Sequence, residues 1–353
     1  MRSRIDPIPS IAIGPANYAG QATAWATAYK HFGSGNAISF SYSKEIPGFG
    51  YQTDRDIGQL RKLGQPSMRK VKSIAVEFDF IAIDGFVPLA GVGKMSSLRR
   101  QVRRLQSLGT NVLLISHGTD TRSPSRHMAR VECSYFRESP RAYVARCESE
   151  SRRNRGLPGQ LGVPLLVSTP DLLIDNPGSQ WLPVVVQPEK WEGAPAPFLS
   201  ELVSVLHVPS RTNPPIKGTR HIDPVLTKLA EEGLIRYLRA ESVPHEDMPA
   251  MVKQADVVVD QIQTGSYGVA AVEAMSAGRL VVGNVATDVR ALISTDLPIV
   301  DSSPSELELV IRHIVAHRGE YTSVAASGPR YVAEFHNGRQ STQVLSSMLH
   351  QVQ

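Results

Sequence analysis

Between Ser266 and Gly283 the chain reads SYGVAAVEAMSAGRLVVG, a run of small and apolar residues with a single acid, Glu273. An unpaired carboxylate is costly to bury, so Glu273 needs hydrogen-bond donors. Helical spacing starts near Tyr267 or Gly268, straight after the apolar stretch DVVVDQI and the loop QTGSYG. Free backbone N–H groups at such a helix start attract anions, phosphate above all. Gly265 and Gly268, with Ser266 and Tyr267 between them, let a ligand approach the backbone closely. The two hydroxyls of a ribose would satisfy Glu273. On spacing alone, so would backbone groups or an Arg of its own domain.

Three further clusters follow apolar runs. HVPSRTNPPIKGT presents Arg211 and Lys217 in one Gly/Pro-shaped loop. A guanidinium fork and an ammonium point charge together suit a diphosphate, although two surface cations would read the same way. LLISHGTDTR places His117, Asp120 and Arg122 behind a strand. His117 could meet a reacting sugar, and Asp120 and Arg122 could bind polar groups or each other; a structural histidine is the plainer alternative. GPANYAGQA, with Gly14, Asn17 and Gly20, forms a turn that is neither G-x-G-x-x-G nor G-x-x-x-x-G-K-[ST], so the dinucleotide and ATP fingerprints are absent.

Positioning these clusters falls to a repeated rhythm of strand, loop and helix. PSIAIGP, NAISFSY, SIAVEFDFIAIDGF, NVLLISHG and GVPLLVSTP read as strand material in the first half. LVSVLHVPS, LIRYLRA, DVVVDQI and RLVVGNV do so in the second. QATAWATAYKHFG, MSSLRRQVRRLQSLG, HIDPVLTKLAEEG, PHEDMPAMVKQA and YGVAAVEAMSAG have helical spacing between them. Alternation of this kind builds parallel sheets covered on both faces, with ligands beyond the carboxyl ends of the strands. DNPGSQWLPVVVQPEKWEGAPAPF has the composition of an interdomain linker. The expectation is an α/β protein of two facing Rossmann-like domains with a cleft between them. Residues 1–185 form the first, 186–325 the second, and a helix over 326–353 crosses back to the first.

The 353 residues carry a net charge of +5 that conceals an asymmetry. Residues 1–185 hold 24 Lys and Arg against 14 Asp and Glu, a balance of +10; residues 186–353 hold 14 against 19, a balance of −5. A basic first domain could meet an anionic lipid surface, a phosphorylated acceptor or nucleic acid; a solvated surface with a chance imbalance would read the same way. The Arg-rich segment from Arg122 to Arg155 lacks a nucleic-acid-binding signature, so nucleic acid is not an expected partner. Two cysteines, Cys133 and Cys147, fit neither a disulfide framework nor a metal-ligand spacing. A cytoplasmic setting is expected, with no membrane span and a peripheral position on the inner face of the membrane.

Together these motifs resemble the retaining GT-B glycosyltransferases, in particular glycosyltransferase family four. Arg211 and Lys217 in SRTNPPIKGT, SYGVAAVEAMSAGRLVVG some fifty residues on, SHGTDTR, the linker STPDLL…WLP and the C-terminal YVAEFH carry the likeness over nearly the whole chain. The resemblance implies a nucleoside diphosphate sugar donor, a UDP- or GDP-sugar, held mainly by the second domain without a metal or other cofactor. Arg211 and Lys217 would bind its diphosphate and Glu273 its ribose. Ser266, Tyr267 and Gly268 would offer amides to phosphate, and Val243 and His245 would flank the base. His117 would face the transferred sugar. The loop of Gly14, Asn17 and Gly20, with Asp120 and Arg122, would border a glycan, lipid-linked or small-molecule acceptor. Many family members carry Glu-x7-Glu, whose first Glu grips sugar hydroxyls. Here that position is Gly265. A nucleotide-sugar epimerase on the same fold, and a non-catalytic nucleotide-sugar binder, are the rival readings.

Overall fold

A computed structural model describes residues 8–33, 35–42, 51–57, 68–89, 97–209, 216–240, 243–293 and 296–352. The first half runs β1 (Ile11–Gly14), α1 (Gln21–Phe32), β2 (Ala37–Ser41), β3 (Arg55–Asp56), α2 (Met68–Glu77), β4 (Phe80–Asp84) and α3 (Leu98–Gln106). It continues through β5 (Asn111–Ser116), α4 (Pro124–Arg130), α5 (Arg141–Leu161), β6 (Leu165–Val167), α6 (Leu172–Asp175) and β7 (Gln180–Trp181). Its strands form one sheet in the order β3-β2-β1-β4-β5-β6-β7, with every neighbouring pair parallel.

The second half runs β8 (Val203–His207), α7 (Thr219–Glu231), β9 (Ile235–Arg239), α8 (Met248–Lys253), β10 (Val257–Val259) and α9 (Val269–Ser276). Then come β11 (Leu280–Gly283), α10 (Thr287–Arg290), β12 (Ile299–Asp301), α11 (Leu307–Ala316), α12 (Arg318–Phe335) and α13 (Arg339–Val352). A second parallel sheet has the order β12-β11-β10-β8-β9.

Central strands are apolar on both faces because helices cover both. On β4, Phe80 and Ala82 join the core shared with α1 and α13, while Ile81 and Ile83 join the core shared with α2 and α3. This two-sided burial explains the unbroken apolar runs of the sequence. One of those runs divides differently from the reading above. In SIAVEFDFIAIDGF, Ser73–Glu77 close α2, and the strand begins at Phe80. Val71, Ile74 and Phe78 are buried at helical spacing, and that periodicity outweighs the local β propensity.

The change of sheet falls between Trp181 and Val203. The connecting chain is packed rather than loose. Gln21 pins Val185 from both sides, its Oε1 accepting from the Val185 N–H (2.7 Å) and its Nε2 donating to the Val185 carbonyl (3.2 Å). Trp25 donates to the Pro183 carbonyl at 2.8 Å, and Trp191 is buried in the second core. The segment 326–353 is also divided. Its first part belongs to α12, which packs on α9; after a break at 336–338, α13 packs on α1 of the first half. His336 sits at that break and accepts through its own carbonyl from the Val186 N–H, so both crossings of the chain are joined at one point.

A second set of contacts joins the halves through residues 127–138 of the first and 220–264 of the second. His127 bonds the Thr264 carbonyl at 2.8 Å, the Tyr135 N–H donates to the Gln263 carbonyl at 3.2 Å, and Gln263 donates to Glu138 at 2.9 Å. Glu138 also accepts from Arg220 (2.7 Å) and His221 (2.9 Å), and this ring of donors holds its carboxyl below the usual range despite burial.

Candidate active site

Two adjoining cavities lie between the halves, with shared walls at Ala19, Gln21 and Val269. The first, about 300 Å³, is bounded by the start of α1 (Gly20–Ala24), by Tyr51, Lys190 and Trp191, and by His245 and Glu273. The second, about 380 Å³, lies between the His117–Arg122 loop with Ser168 and Thr169 on one side and Gln261, Thr264, Tyr267 and Gly268 on the other. Many of these residues follow strand ends, where a doubly wound sheet places its ligands.

Glu273 is 8% exposed and faces the first cavity from α9. Its Oε1 bonds His245 Nε2 at 2.9 Å. The Tyr51 ring lies 4.6 Å from the His245 ring. Burial, with the Glu273 charge added, pushes the Tyr51 hydroxyl above its ordinary range. Upstream, Gly268 caps α9 without a side-chain hydrogen bond, and the first turn contains no acid. The N–H groups of that turn are therefore unneutralised donors beside both cavities.

The loop before α9 is held by its neighbours. The Ser266 carbonyl accepts from Gln261 (2.7 Å) and Thr264 (3.1 Å). The Tyr267 hydroxyl turns away to Tyr331 (3.0 Å) and His336 (3.2 Å), so this residue offers backbone to the cavity while its phenol anchors the loop. Gly265 has φ +63°, and a Cβ there would stand 2.5 Å from a Val131 methyl of the first half. An acid at this position would need both a left-handed backbone and the space that Val131 occupies.

On the opposite wall His117 stacks on Trp25 (5.6 Å between rings) and meets Tyr18 edge-on. Asp120 and Arg122 do not pair with each other. Asp120 is used by its own loop, accepting from the Ser116 hydroxyl (2.7 Å) and the N–H groups of His117 (3.0 Å), Gly118 (2.8 Å) and Thr121 (2.9 Å). Arg122 pairs with the buried Asp171 at 2.7 Å. Burial pushes the Asp171 carboxyl up, but Arg122 and the hydroxyls of Thr169 and Ser266 bring it below its ordinary value. Both side chains are thus committed to structure, although their residues stay on the cavity wall.

Other sequence candidates lie off the walls. Lys217 forms an ion pair with the buried Asp260 at 2.9 Å and donates to the Val208 carbonyl at 3.3 Å. Val243 packs against the second core. Gly14 is small because a Cβ there would fall 2.1 Å from the Phe40 carbonyl of β2. Asn17 is fully buried, and its side chain accepts from the Thr23 N–H at 3.2 Å. Gly20 does face the first cavity. Arg211 lies outside the described residues.

Sequence reasoning missed Tyr51, Asp84, Asp171 and Asp260. Asp84 ends a strand, the same signal that selected His117. Tyr51 stands in a loop with no periodicity to mark it. Among the described residues no three His, Cys, Asp or Glu side chains cluster as a metal site would require.

The two parallel sheets and the cleft between them define a GT-B fold, an α/β architecture of facing Rossmann-like units. Sucrose-phosphate synthase from Thermosynechococcus elongatus superposes with a TM-score of 0.61 at 13% identity, covering 97% of this chain and 98% of that one. HepE of Anabaena, in complex with UDP and glucose, gives 0.60 at 13% identity over 97% and 99%. WaaG, a glycosyltransferase involved in lipopolysaccharide biosynthesis, gives 0.56 at 11% identity over 96% and 99%. No protein-family profile and no curated protein sequence matches the chain.

Proposed function

We propose that this chain is a glycosyltransferase that moves a hexose from a nucleoside diphosphate sugar to an acceptor hydroxyl, with retention at the anomeric carbon. The observation that carries the reading is the pairing of Glu273 with the uncapped start of its own helix at the junction of two cavities. The nucleoside would occupy the first cavity, its ribose hydroxyls donating to Glu273 and its base beside His245 and Tyr51. The diphosphate would cross the start of α9, and the hexose would enter the second cavity toward His117. The fold shared with HepE, which is described in complex with UDP and glucose, supports a uridine nucleotide as donor.

In this mechanism the bond from the anomeric carbon to the diphosphate oxygen breaks. The acceptor oxygen bonds the same face of that carbon, and its proton passes to the departing phosphate. Charge growing on the leaving group meets the α9 amides, with Lys217 and Arg211 supplying cations in place of a metal. Lys217 would first have to leave Asp260. The acceptor is proposed to be a glycan, a lipid-linked glycan or a small molecule, in keeping with the basic first half.

The test is donor turnover. The purified chain, given UDP- and GDP-sugars with an acceptor panel, should release nucleoside diphosphate and form a product whose anomeric coupling matches the donor. EDTA should leave the rate unchanged. Glu273→Ala should abolish release and weaken UDP binding about 10–100-fold, the worth of a hydrogen bond to a charged group. An epimeric nucleotide sugar as product, or turnover unaffected by Glu273→Ala, would overturn the reading.

A further inference from the structure

Asp84 closes β4, the middle strand of the first sheet, and its residue is fully buried. β1 and β5 flank β4 on either side, so the loops that follow those two strands converge on this one carboxylate. From the β1 loop, the Ala16 N–H donates to Oδ1 at 2.6 Å and the Asn17 N–H to Oδ2 at 2.8 Å. From the β5 loop, His117 Nε2 reaches the same Oδ2 at 3.2 Å. We propose that Asp84 is a positioning residue that locks the 15–20 loop and the His117 ring into a single unit and selects the ring's tautomer.

Two features make this more than a buried hydrogen bond. The 15–20 loop is strained, with Asn17 at φ +46° and Ala19 at φ +50°. Such backbone persists only where its surroundings over-determine it. Two consecutive N–H groups held on one carboxylate provide that constraint. The second feature is the ring. An oxygen that already accepts one N–H calls for a further donor, so Nε2 carries the proton. In the neutral imidazole Nδ1 is then the acceptor, and it has no partner among the described residues. In that neutral form His117 presents a lone pair beside the second cavity, suited to accept a hydrogen bond from a hydroxyl of a sugar or an acceptor. Trp25 and Tyr18 hold the plane of the ring, and Asp84 sets which nitrogen remains available.

Asp84→Asn tests this, because the amide must turn an NH2 toward at least one of these donors. The first readout is free of activity: ¹⁵N NMR of histidine-labelled protein above pH 8, with the His117 signals assigned by their loss in His117→Ala. The wild type should show Nε2-protonated His117, and Asp84→Asn should shift the population toward the Nδ1-protonated form. A wild-type ring protonated mainly on Nδ1, or an identical pattern in the variant, would overturn the proposal whether or not the chain is a transferase. The second readout rests on the transferase reading. Asp84→Asn should lower kcat about 10²-fold, as a small misplacement of a positioned group does. UDP affinity, set by Glu273 and α9 in the other half, should not change. Asp84→Asn/His117→Ala should be no slower than His117→Ala alone. Losses that instead multiply, or that track a common fall in UDP affinity and melting temperature, would mark Asp84 as merely structural.

Discussion

Lys217 shows how a residue's surroundings can be missed when only its type is read. A lysine in a Gly/Pro loop reads as a free cation, but its ammonium is paired with Asp260, which is 3% exposed. Removing one partner of a buried pair leaves the other charge without compensation, at a cost of about 3–5 kcal/mol. Lys217→Ala should therefore lower the melting temperature in the absence of any nucleotide, and Lys217→Ala/Asp260→Asn should recover most of the loss. A cation serving only an incoming phosphate would leave the unliganded melting temperature unchanged. Glu273 is the opposite case. Its isolation among small apolar residues marked it as a carboxylate in need of donors, and it lies on a cavity wall with His245 as its partner. Its neighbour Tyr51 carried no such mark, because a loop tyrosine's position depends on where the chain around it is folded. Gly265 changes meaning. Its residue type records a left-handed turn and the nearness of Val131, both visible only once the first half is in place.

At the scale of elements, the strands were legible because parallel strands buried on both faces are unbroken apolar runs. The boundary between α2 and β4 was not, since SIAVEFDFIAI fits either period until the helix has a face to bury. Three buried histidines tie together distant segments of the chain, and their role was invisible in sequence. His127, after the start of α4, bonds the Thr264 carbonyl; His336, after α12, bonds the Val184 carbonyl at 2.8 Å; His207, ending β8, bonds the Val259 carbonyl at 2.8 Å. Burial pushes each of these rings down to about 4, with Arg122 adding to the effect on His127. A ring with a depressed folded-state pKa stabilises the fold above its ordinary value near 6.5. That stability is lost as pH falls toward 4, because the unfolded chain takes up the protons first. Denaturant melts from pH 7.5 to 4.5 should show a steady loss below pH 6.5. A His127→Gln/His336→Gln variant should show a shallower slope over this range. An unchanged slope would mean that these rings are already charged in the fold.

At the scale of the molecule, the charge imbalance gains a location. On α3, Leu98, Val102 and Leu105 are buried, while Arg99, Arg100, Arg103 and Arg104 are exposed on the outside of the first half. No helix among the described residues is long and apolar enough to cross a membrane. Contact of these arginines with an anionic lipid surface would be electrostatic, worth about 1 kcal/mol per basic side chain near it. Co-sedimentation with vesicles containing phosphatidylserine should be salt-sensitive and should fall sharply in Arg99→Glu/Arg103→Glu, without loss of UDP binding. Retention on neutral vesicles, or no retention on anionic ones, would remove the membrane from the proposed acceptor chemistry.

By itself the sequence determined the two parallel sheets and the strand-end segments around the cleft. Each of these follows from local periodicity and from the rule that a sheet binds ligands at its carboxyl edge. It also singled out Glu273 and His117, whose polar groups stand out against apolar surroundings. Only the tertiary structure decided what each charge is paired with. Asp120 is held by its own loop, Arg122 by Asp171 and Lys217 by Asp260, while Asp84 gathers two loops that lie far apart in sequence. The reason is physical. A side chain's availability depends on the donors and acceptors within about 3 Å of it. In a fold built from distant strands, those neighbours come from parts of the chain that no local pattern can pair.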